Sequence, residues 1–316
     1  MNLPLQVSDF NALKECDKPI HLAIGVFDGV HLGHLAVIEP AVSSAKDNSG
    51  VSAVLTFDPH PSRLFKGDAG TDLIMSLKTK VARLHGIGVD VVIAKTFDQD
   101  FASISADAFL SYLQKELPSL KAIYVGQNFR FGQGRFGDIQ TLIESGSALG
   151  IDIWSIDRIK QNGLPISSTR IREALKLGQV NLVNSLLGYR YFSEGTVIKG
   201  AQLGTKMGFP TMNLKWSPEC KPRYGVYAVR FLIESSGEWK KGIANFGVRP
   251  TVSNEEAIEP LLEVHSLEDC KCNLDEAIRV EWVEFVRDEK QFDSVEALKD
   301  QISQDCHLVK NLLSDE

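Results

Sequence analysis

Positive charge is what this chain is short of. Its 34 Lys and Arg stand against 41 Asp and Glu, a formal net charge of −7, which argues against a nucleic-acid partner held by bulk electrostatics. Phosphate can still be bound, but by local devices such as helix ends, single Lys or Arg side chains, or a metal ion. Cysteine is scarce as well. Cys16, Cys220, Cys270, Cys272 and Cys306 are odd in number and contain no Cys-x-x-Cys pair. Neither a disulfide framework nor a zinc site is expected, and a reducing cytoplasm is the simpler home. No apolar run is long enough to span a bilayer, and Met1-Asn2-Leu3-Pro4 lacks the basic and apolar regions of a signal peptide. A cytoplasmic protein with no membrane partner follows as the expectation. At 316 residues the chain exceeds what one core usually supports, so two domains are expected. No residue pattern sets an oligomeric state.

What is present begins with Ala23-Ile24-Gly25-Val26-Phe27-Asp28-Gly29-Val30-His31-Leu32-Gly33-His34. It reads as a buried strand, a glycine-rich turn and the first turn of a helix carrying two histidines. No Gly-Lys-Ser/Thr follows the glycines, so the turn is not a P-loop. Gly25 and Gly29 let backbone approach a ligand where a Cβ would collide. A helix starting near His31 would aim unpaired N–H groups and its positive dipole end at an anion. His31 and His34, three apart, share one helix face and suit the holding of polyphosphate charge as it shifts. Asp28 is either part of that seat or a turn residue capping the helix.

Gly-x-Phe-Asp-Gly-Val-His-x-Gly-His resembles the signature of the nucleotidylyltransferase superfamily, narrowed to the bacterial FAD synthetases. The resemblance implies that Gly25, Phe27, Asp28 and Gly29 bind ATP phosphate and that His31 and His34 act in catalysis.

Residues 20–26, 52–57, 89–94, 122–125 and 151–156 are short apolar strands, separated by helical patterns at 35–45, 77–85, 105–117 and 139–145. That alternation predicts a doubly wound parallel α/β sheet, with ligands at the carboxyl ends of its strands. The distinctive residues fall there. Thr56-Phe57-Asp58-Pro59-His60-Pro61 is by itself a proline-stiffened turn; the resemblance gives Asp58 a flavin- or nucleotide-side role. Gly126-Gln127-Asn128-Phe129-Arg130-Phe131-Gly132 combines an amide, two aromatics and glycines, which suits closure over a planar ring. Asn128 can both donate and accept, while Phe129 and Phe131 are either ligand contacts or core. Ser167-Ser168-Thr169-Arg170-Ile171-Arg172 reads as a helix cap. It also resembles the second phosphate-gripping motif of nucleotidylyltransferases, which implies that Ser168 and Thr169 hold phosphates and Arg172 steadies the departing pyrophosphate.

After a short helical run to residue 187 the texture changes. Alternating strands at 195–199, 225–233, 239–245, 261–267 and 277–286 predict a small antiparallel β-barrel. A closing helix is expected over 292–313, with Asp293 and Glu296 as its capping box and Val295, Leu298 and Ile302 facing inward. The domains are drawn as 1–187 and 188–316. Gly200, Gly204, Gly208 and Pro210-Thr211-Met212-Asn213 resemble the phosphate loop and Pro-Thr-x-Asn signature of riboflavin kinases; by pattern alone Pro210–Asn213 would be an ordinary turn. The resemblance implies ATP binding by the glycines and Mg2+ binding by Thr211 and Asn213. Glu263, in an otherwise apolar strand, would be the catalytic base. Thr205-Lys206, Met212 and the stretch 268–276 depart from the family pattern, while Gly242–Thr251 follows it.

The expected function is therefore bifunctional: riboflavin is phosphorylated by ATP to FMN, and FMN is adenylylated by ATP to FAD with release of pyrophosphate. Riboflavin, FMN and ATP are the expected partners and Mg2+ the expected cofactor. The alternatives are a monofunctional FMN adenylyltransferase whose barrel is a flavin-binding regulatory module, another nucleotidylyltransferase, and a non-enzymatic flavin carrier.

Overall fold

Continuous apolar runs in the first half form the central strands of a parallel sheet covered on both faces. In the computed structural model of the chain, residues 6–200, 204, 207–248 and 260–314 are described. The chain divides into two compact units, Met1–Ser168 and Thr169–Glu316.

The first unit runs β1 (Gln6–Val7), α1 (Asn11–Lys14), β2 (Ile20–Ile24), α2 (Leu32–Asp47), β3 (Val51–Phe57), α3 (Pro61–Lys66) and α4 (Leu77–Gly86). It continues with β4 (Val91–Lys95), α5 (Gln99–Ala102), α6 (Ala106–Glu116), β5 (Leu120–Gly126), α7 (Ile139–Leu149), β6 (Asp152–Ile156) and the small hairpin β7 (Lys160–Gln161) and β8 (Leu164–Pro165). The sheet order is β1-β4-β3-β2-β5-β6, and every pairing in it is parallel. All five residues of β2 are buried, as a strand sandwiched between helix layers requires. Side chains alternate between the two faces. Ile20, Leu22 and Ile24 join a core with Leu13, Leu113 and Leu142, whereas Ala23, Val54 and Val92 pack with Ile38 and Leu84 on the other side. The doubly wound expectation holds. Strand order reverses between β2 and β5, and a crevice opens at such a point at the carboxyl ends of the strands. The turn after β2 is at that point.

Several short elements of this unit escape the residue pattern, β1 and α3 among them. β1 is a two-residue edge strand beside β4, too short to show any period. α3 starts where a turn is expected, with the His60 side chain accepting from Ser62 N and Pro61 in the first turn, a position where its missing N–H costs nothing.

Helix α8 (Ser168–Lys176) starts on the last residue of the first unit; the second unit holds the rest of it and α9 (Val180–Leu187) and continues as β9 (Phe192–Ile198), β10 (Thr211–Lys215), β11 (Gly225–Ile233), β12 (Trp239–Val248), β13 (Pro260–Ser266), β14 (Ala277–Arg287) and α10 (Val295–Leu312). The strands close as a barrel in the order β10-β13-β12-β11-β14-β9, all pairings antiparallel. Trp282, Tyr227, Phe231 and Phe246 are its largest fully buried side chains. The Trp282 indole satisfies its N–H on Ser193 Oγ at 2.7 Å, as a buried tryptophan must. Asn184 on α9 donates to Trp282 O at 2.9 Å and accepts from Tyr191 N at 2.7 Å, which ties the helix to the barrel.

Three expectations need correction. Pro210 leads into a barrel strand: Thr211, Met212 and Asn213 belong to β10, paired with β13 on one side and β9 on the other. The cap of α10 is Ser294, whose hydroxyl accepts from Ala297 N at 3.1 Å, so the helix starts one residue later than the Asp293 box would place it. That shift turns Val295 outward, where it is 54 % exposed, while Leu298 and Ile302 face inward as expected and line a cavity beside the barrel.

Candidate active sites in the two units

In the first unit the turn after β2 departs from ordinary backbone. Phe27, Gly29 and Val30 have φ of 50°, 86° and 36°; only the glycine adopts such a value freely, and for β-branched Val30 it is a marked outlier. The Phe27 ring folds back over Gly25, where an added Cβ would lie 2.8 Å from it. Gly25 thus makes room for this ring. α2 starts at the expected place, and its cap is a histidine: His31 Nδ1 accepts from His34 N at 3.2 Å. With Nδ1 accepting, the proton of the neutral His31 ring sits on Nε2. The two imidazoles stack, centroids 3.5 Å apart and planes 15° from parallel, and the edge of Phe27 meets His34 at 5.3 Å. His31 is buried at 4 % exposure. Two stacked imidazoles therefore stand at the amino end of a long helix, where negative charge is favoured.

Asp28 is buried. Its carboxylate accepts from Ile74 N at 3.0 and 3.1 Å and from Met75 N at 3.4 Å, which holds the segment before α4. Its carbonyl accepts from Ser168 Oγ at 2.8 Å, so the turn and the serine of the second motif are brought together. Thr169, exposed, and Arg172, half-buried, follow on α8 within the second unit. Beneath the turn lies Lys80 of α4. Its Nζ donates to Val26 O at 2.9 Å and to Thr56 Oγ1 at 3.3 Å.

At the end of β3, Asp58 is exposed and its N–H donates to Lys95 O at 3.1 Å. At the end of β5, the exposed Asn128 amide accepts from the Arg158 guanidinium in the orientation its neighbours require. Phe129 is half-buried and stacks on Phe131 at 5.5 Å and 17°. Phe131 itself is core.

The second unit holds a cavity of about 400 Å³ between the barrel and α10, a size typical of small-molecule sites. Thr211, Asn213 and Glu263 all line it, as do Asn245 and His265. Strand register explains why: Asn213 pairs with Glu263 and Thr211 with His265 across β10 and β13, so alternate residues of both strands face one side. His265 Nδ1 is 2.8 Å from Pro210 O. Gly200 abuts Asn213, for a Cβ there would sit 2.1 Å from the Asn213 amide nitrogen. Gly204 lines the cavity, and Gly208 has a φ of 90°. Across the cavity Arg287 grips Asp305 of α10 through Nε at 2.9 and 3.1 Å and Nη2 at 2.7 Å. Residues 201–203, 205–206 and 249–251, which include Thr205-Lys206 and Arg249-Pro250-Thr251, lie outside the described residues. The divergent stretch after β13 is a turn tied to its neighbours, with Asp275 N donating to Val197 O at 2.9 Å and Ser235 Oγ to the Glu276 carboxylate at 3.0 Å. Hydrogen bonds from Asn273 N–H first, then from Cys272 and Ser235, hold the Glu276 carboxyl down at about 2.

Two family models match the chain: FAD synthetase over residues 13–170 and riboflavin kinase over residues 187–313. The bifunctional riboflavin kinase/FMN adenylyltransferase of Escherichia coli K12 is 38 % identical over 285 residues, covering 90 % of each chain. The chain belongs to the bifunctional riboflavin kinase/FMN adenylyltransferase family. Members from Haemophilus influenzae and Bacillus subtilis are 36 % and 34 % identical, each covering 92 % or more of both chains. A solved structure described as a macrolide-efflux protein from Streptococcus pneumoniae has the same fold, with a TM-score of 0.86 and 26 % identity over 97 % of this chain and 98 % of that one. Among the described residues no helix is long and apolar enough to cross a membrane.

Membership of this family accounts for both glycine-rich motifs, but several residues around the sites escape motif reading. Lys80 has a signal: it falls on the apolar face set by Leu77, Val81 and Leu84, where a lysine is out of place. Asn245, His265 and Arg287 fall in stretches that follow the family pattern, but no role is legible for them or for Asp305 there, because only strand register and helix docking bring them to the cavity.

Proposed function

We propose that the chain makes FMN from riboflavin and ATP in its barrel and FAD from FMN and ATP in its α/β half. In chain terms, residues 188–316 form the kinase domain and 1–187 the adenylyltransferase domain. The observation that carries the reading is the meeting of Thr211, Asn213 and Glu263 in one cavity, in a chain whose other half presents His31 and His34 at a helix start.

In the kinase, Glu263 accepts the proton of the riboflavin 5′-hydroxyl as its oxygen attacks the γ-phosphorus, and ADP leaves. Gly200, Gly204 and Gly208 border the phosphates. Mg2+ suits this donor set: among the described residues no cluster of three or more His, Cys, Asp or Glu stands ready for an ion, and Mg2+ bound with ATP needs only one or two protein oxygens. Those are the Thr211 hydroxyl and the Asn213 carbonyl. When bound, the ion offsets the charge of the transferring phosphate.

In the adenylyltransferase, a phosphate oxygen of FMN attacks the α-phosphorus of ATP and pyrophosphate leaves. The nucleophile is already anionic, so positioning and charge stabilisation suffice. His31, His34 and the helix start receive the phosphates together with Gly25, Phe27, Asp28, Gly29, Ser168 and Thr169. Arg172 steadies the pyrophosphate, and Asp58, Asn128 and Phe129 border the flavin. The test is product analysis by flavin chromatography. Riboflavin with Mg–ATP yields FMN, then FAD and pyrophosphate; FAD from supplied FMN but no FMN from riboflavin would reduce the barrel to a binding module.

A further inference from the structure

The histidines and the helix start leave Lys80 without a part in the chemistry, although it is among the most buried charged groups in the first unit. It is 2 % exposed, and lysine is almost never so buried without partners. Its partners converge on one atom. Lys80 Nζ donates to Val26 O at 2.9 Å, and Thr56 Oγ1 donates to the same carbonyl at 2.8 Å while lying 3.3 Å from Nζ. Val26 is where the glycine-rich turn leaves β2, and Thr56 is the penultimate residue of β3. A single carbonyl at the root of the turn is therefore held from the neighbouring strand and from α4 together.

A second stitch runs from the same region. The backbone N–H groups of Ile74 and Met75, just before α4, donate to the buried Asp28 carboxylate. Between the two stitches lies backbone that needs holding: Phe27 at φ 50° and, just beyond, Val30 at 36°. Such residues are strained and persist only when their surroundings over-determine them. The cation also has its counter-charges. Burial draws the Lys80 pKa below the ordinary lysine value, and the Asp28 and Asp58 carboxylates oppose that pull.

We propose that Lys80 is a positioning residue for adenylyl transfer, its ammonium clamping Val26 O so that the strained turn presents His31 and His34 in register with the phosphates. The proposal rests on the adenylyltransferase reading above. It assigns Lys80 no contact with substrate. Its effect passes through the turn, and so falls on the transition state more than on ground-state binding.

The experiment compares the parent chain with Lys80→Met, which keeps the stem and removes the charge, and with Thr56→Val and the double variant. FAD formation from FMN and Mg–ATP is followed as kcat and KM, and FMN formation from riboflavin serves as the control in the same chain. The expected result for Lys80→Met is a kcat for FAD formation lowered at least tenfold. KM for FMN and ATP and the riboflavin kinase rate stay within about twofold. Thr56→Val is expected to lower kcat at least threefold, and the double variant to be no worse than Lys80→Met, since both act on one carbonyl. A Lys80→Met kcat within twofold of the parent, or a loss wholly in KM, overturns the proposal. Should Lys80→Met fail to fold, Thr56→Val decides: a lowered kcat at unchanged KM supports the clamp and an unchanged kcat overturns it. A parent chain that makes no FAD removes the adenylyltransferase reading itself, a failure distinct from an active parent indifferent to Lys80.

Discussion

Asn213 on β10 stands directly opposite Glu263 on β13, and the same glutamate stands opposite Asn245 on β12. A carboxylate flanked by two amides thus lines the barrel cavity. Glu263→Gln preserves shape and removes the proposed base. It is expected to lower FMN formation by about 10²- to 10⁴-fold, the usual range for a lost general base, while FAD formation from supplied FMN is unchanged. Separate assays of the two steps check it; equal loss in both would point to a folding defect instead.

Gly200 tests the metal assignment without touching a ligand. An alanine Cβ there would sit 2.1 Å from the Asn213 amide nitrogen, far inside contact, so the amide must move. Gly200→Ala is expected to lower riboflavin phosphorylation and to raise the Mg2+ concentration needed for half-maximal rate. Should the variant titrate with Mg2+ as the parent does, the Asn213 carbonyl does not serve the ion.

The Arg287–Asp305 pair secures α10 against the barrel. Its side chains are 15 % and 5 % exposed, so removing one partner leaves a charge stranded out of water, at a cost of about 3–5 kcal/mol. Asp305→Ala should lower the unfolding free energy of the second unit by that amount, and with it the denaturation midpoint, and raise KM for riboflavin, since both residues line the cavity. A midpoint that stays put would mean that α10 is held by Leu298, Ile302 and Val309 alone.

His21 is expected to make the first unit sensitive to acid. It is buried in β2, and among the described residues neither ring nitrogen has a hydrogen-bond partner. Burial is the main cause that lowers its pKa; the Asp152 carboxylate opposes that pull and the Lys121 ammonium adds to it. The unfolded chain, with its histidine near 6.5, then binds the proton first. The contribution is fully present above that value and lost as pH falls below it, through the lower folded pKa. Thermal unfolding of His21→Phe followed from pH 7.5 to 5 should fall less steeply than that of the parent; parallel curves would remove His21 from the acid response.

Much of this was legible in the residues because local pattern and tertiary context agree. The apolar strand at 20–26 and the two histidines three apart require a buried strand and a helix start, and β2 and the His31 cap are those elements. Thr211-Met212-Asn213 was less legible. As a string, proline, threonine and asparagine read as a turn, but pairing on both sides makes a strand of them. The α10 cap failed for a narrower reason: Asp293 and Ser294 are both good caps, and the choice between them depends on where the helix docks.

The sequence by itself determined the strand–helix alternation and the phosphate seat of the first glycine-rich motif, because these depend on residue type at short spacing; the candidate chemistry of the second came from its resemblance to riboflavin kinases. Only the tertiary structure decided which residues face one another. The Asn213–Glu263 pairing spans 50 positions of chain and is set by register. The Lys80 clamp on Val26 spans 54 and is set by how α4 packs beneath the sheet. Neither interval is periodic, and a buried charge reveals its purpose only once its partners stand within hydrogen-bonding distance.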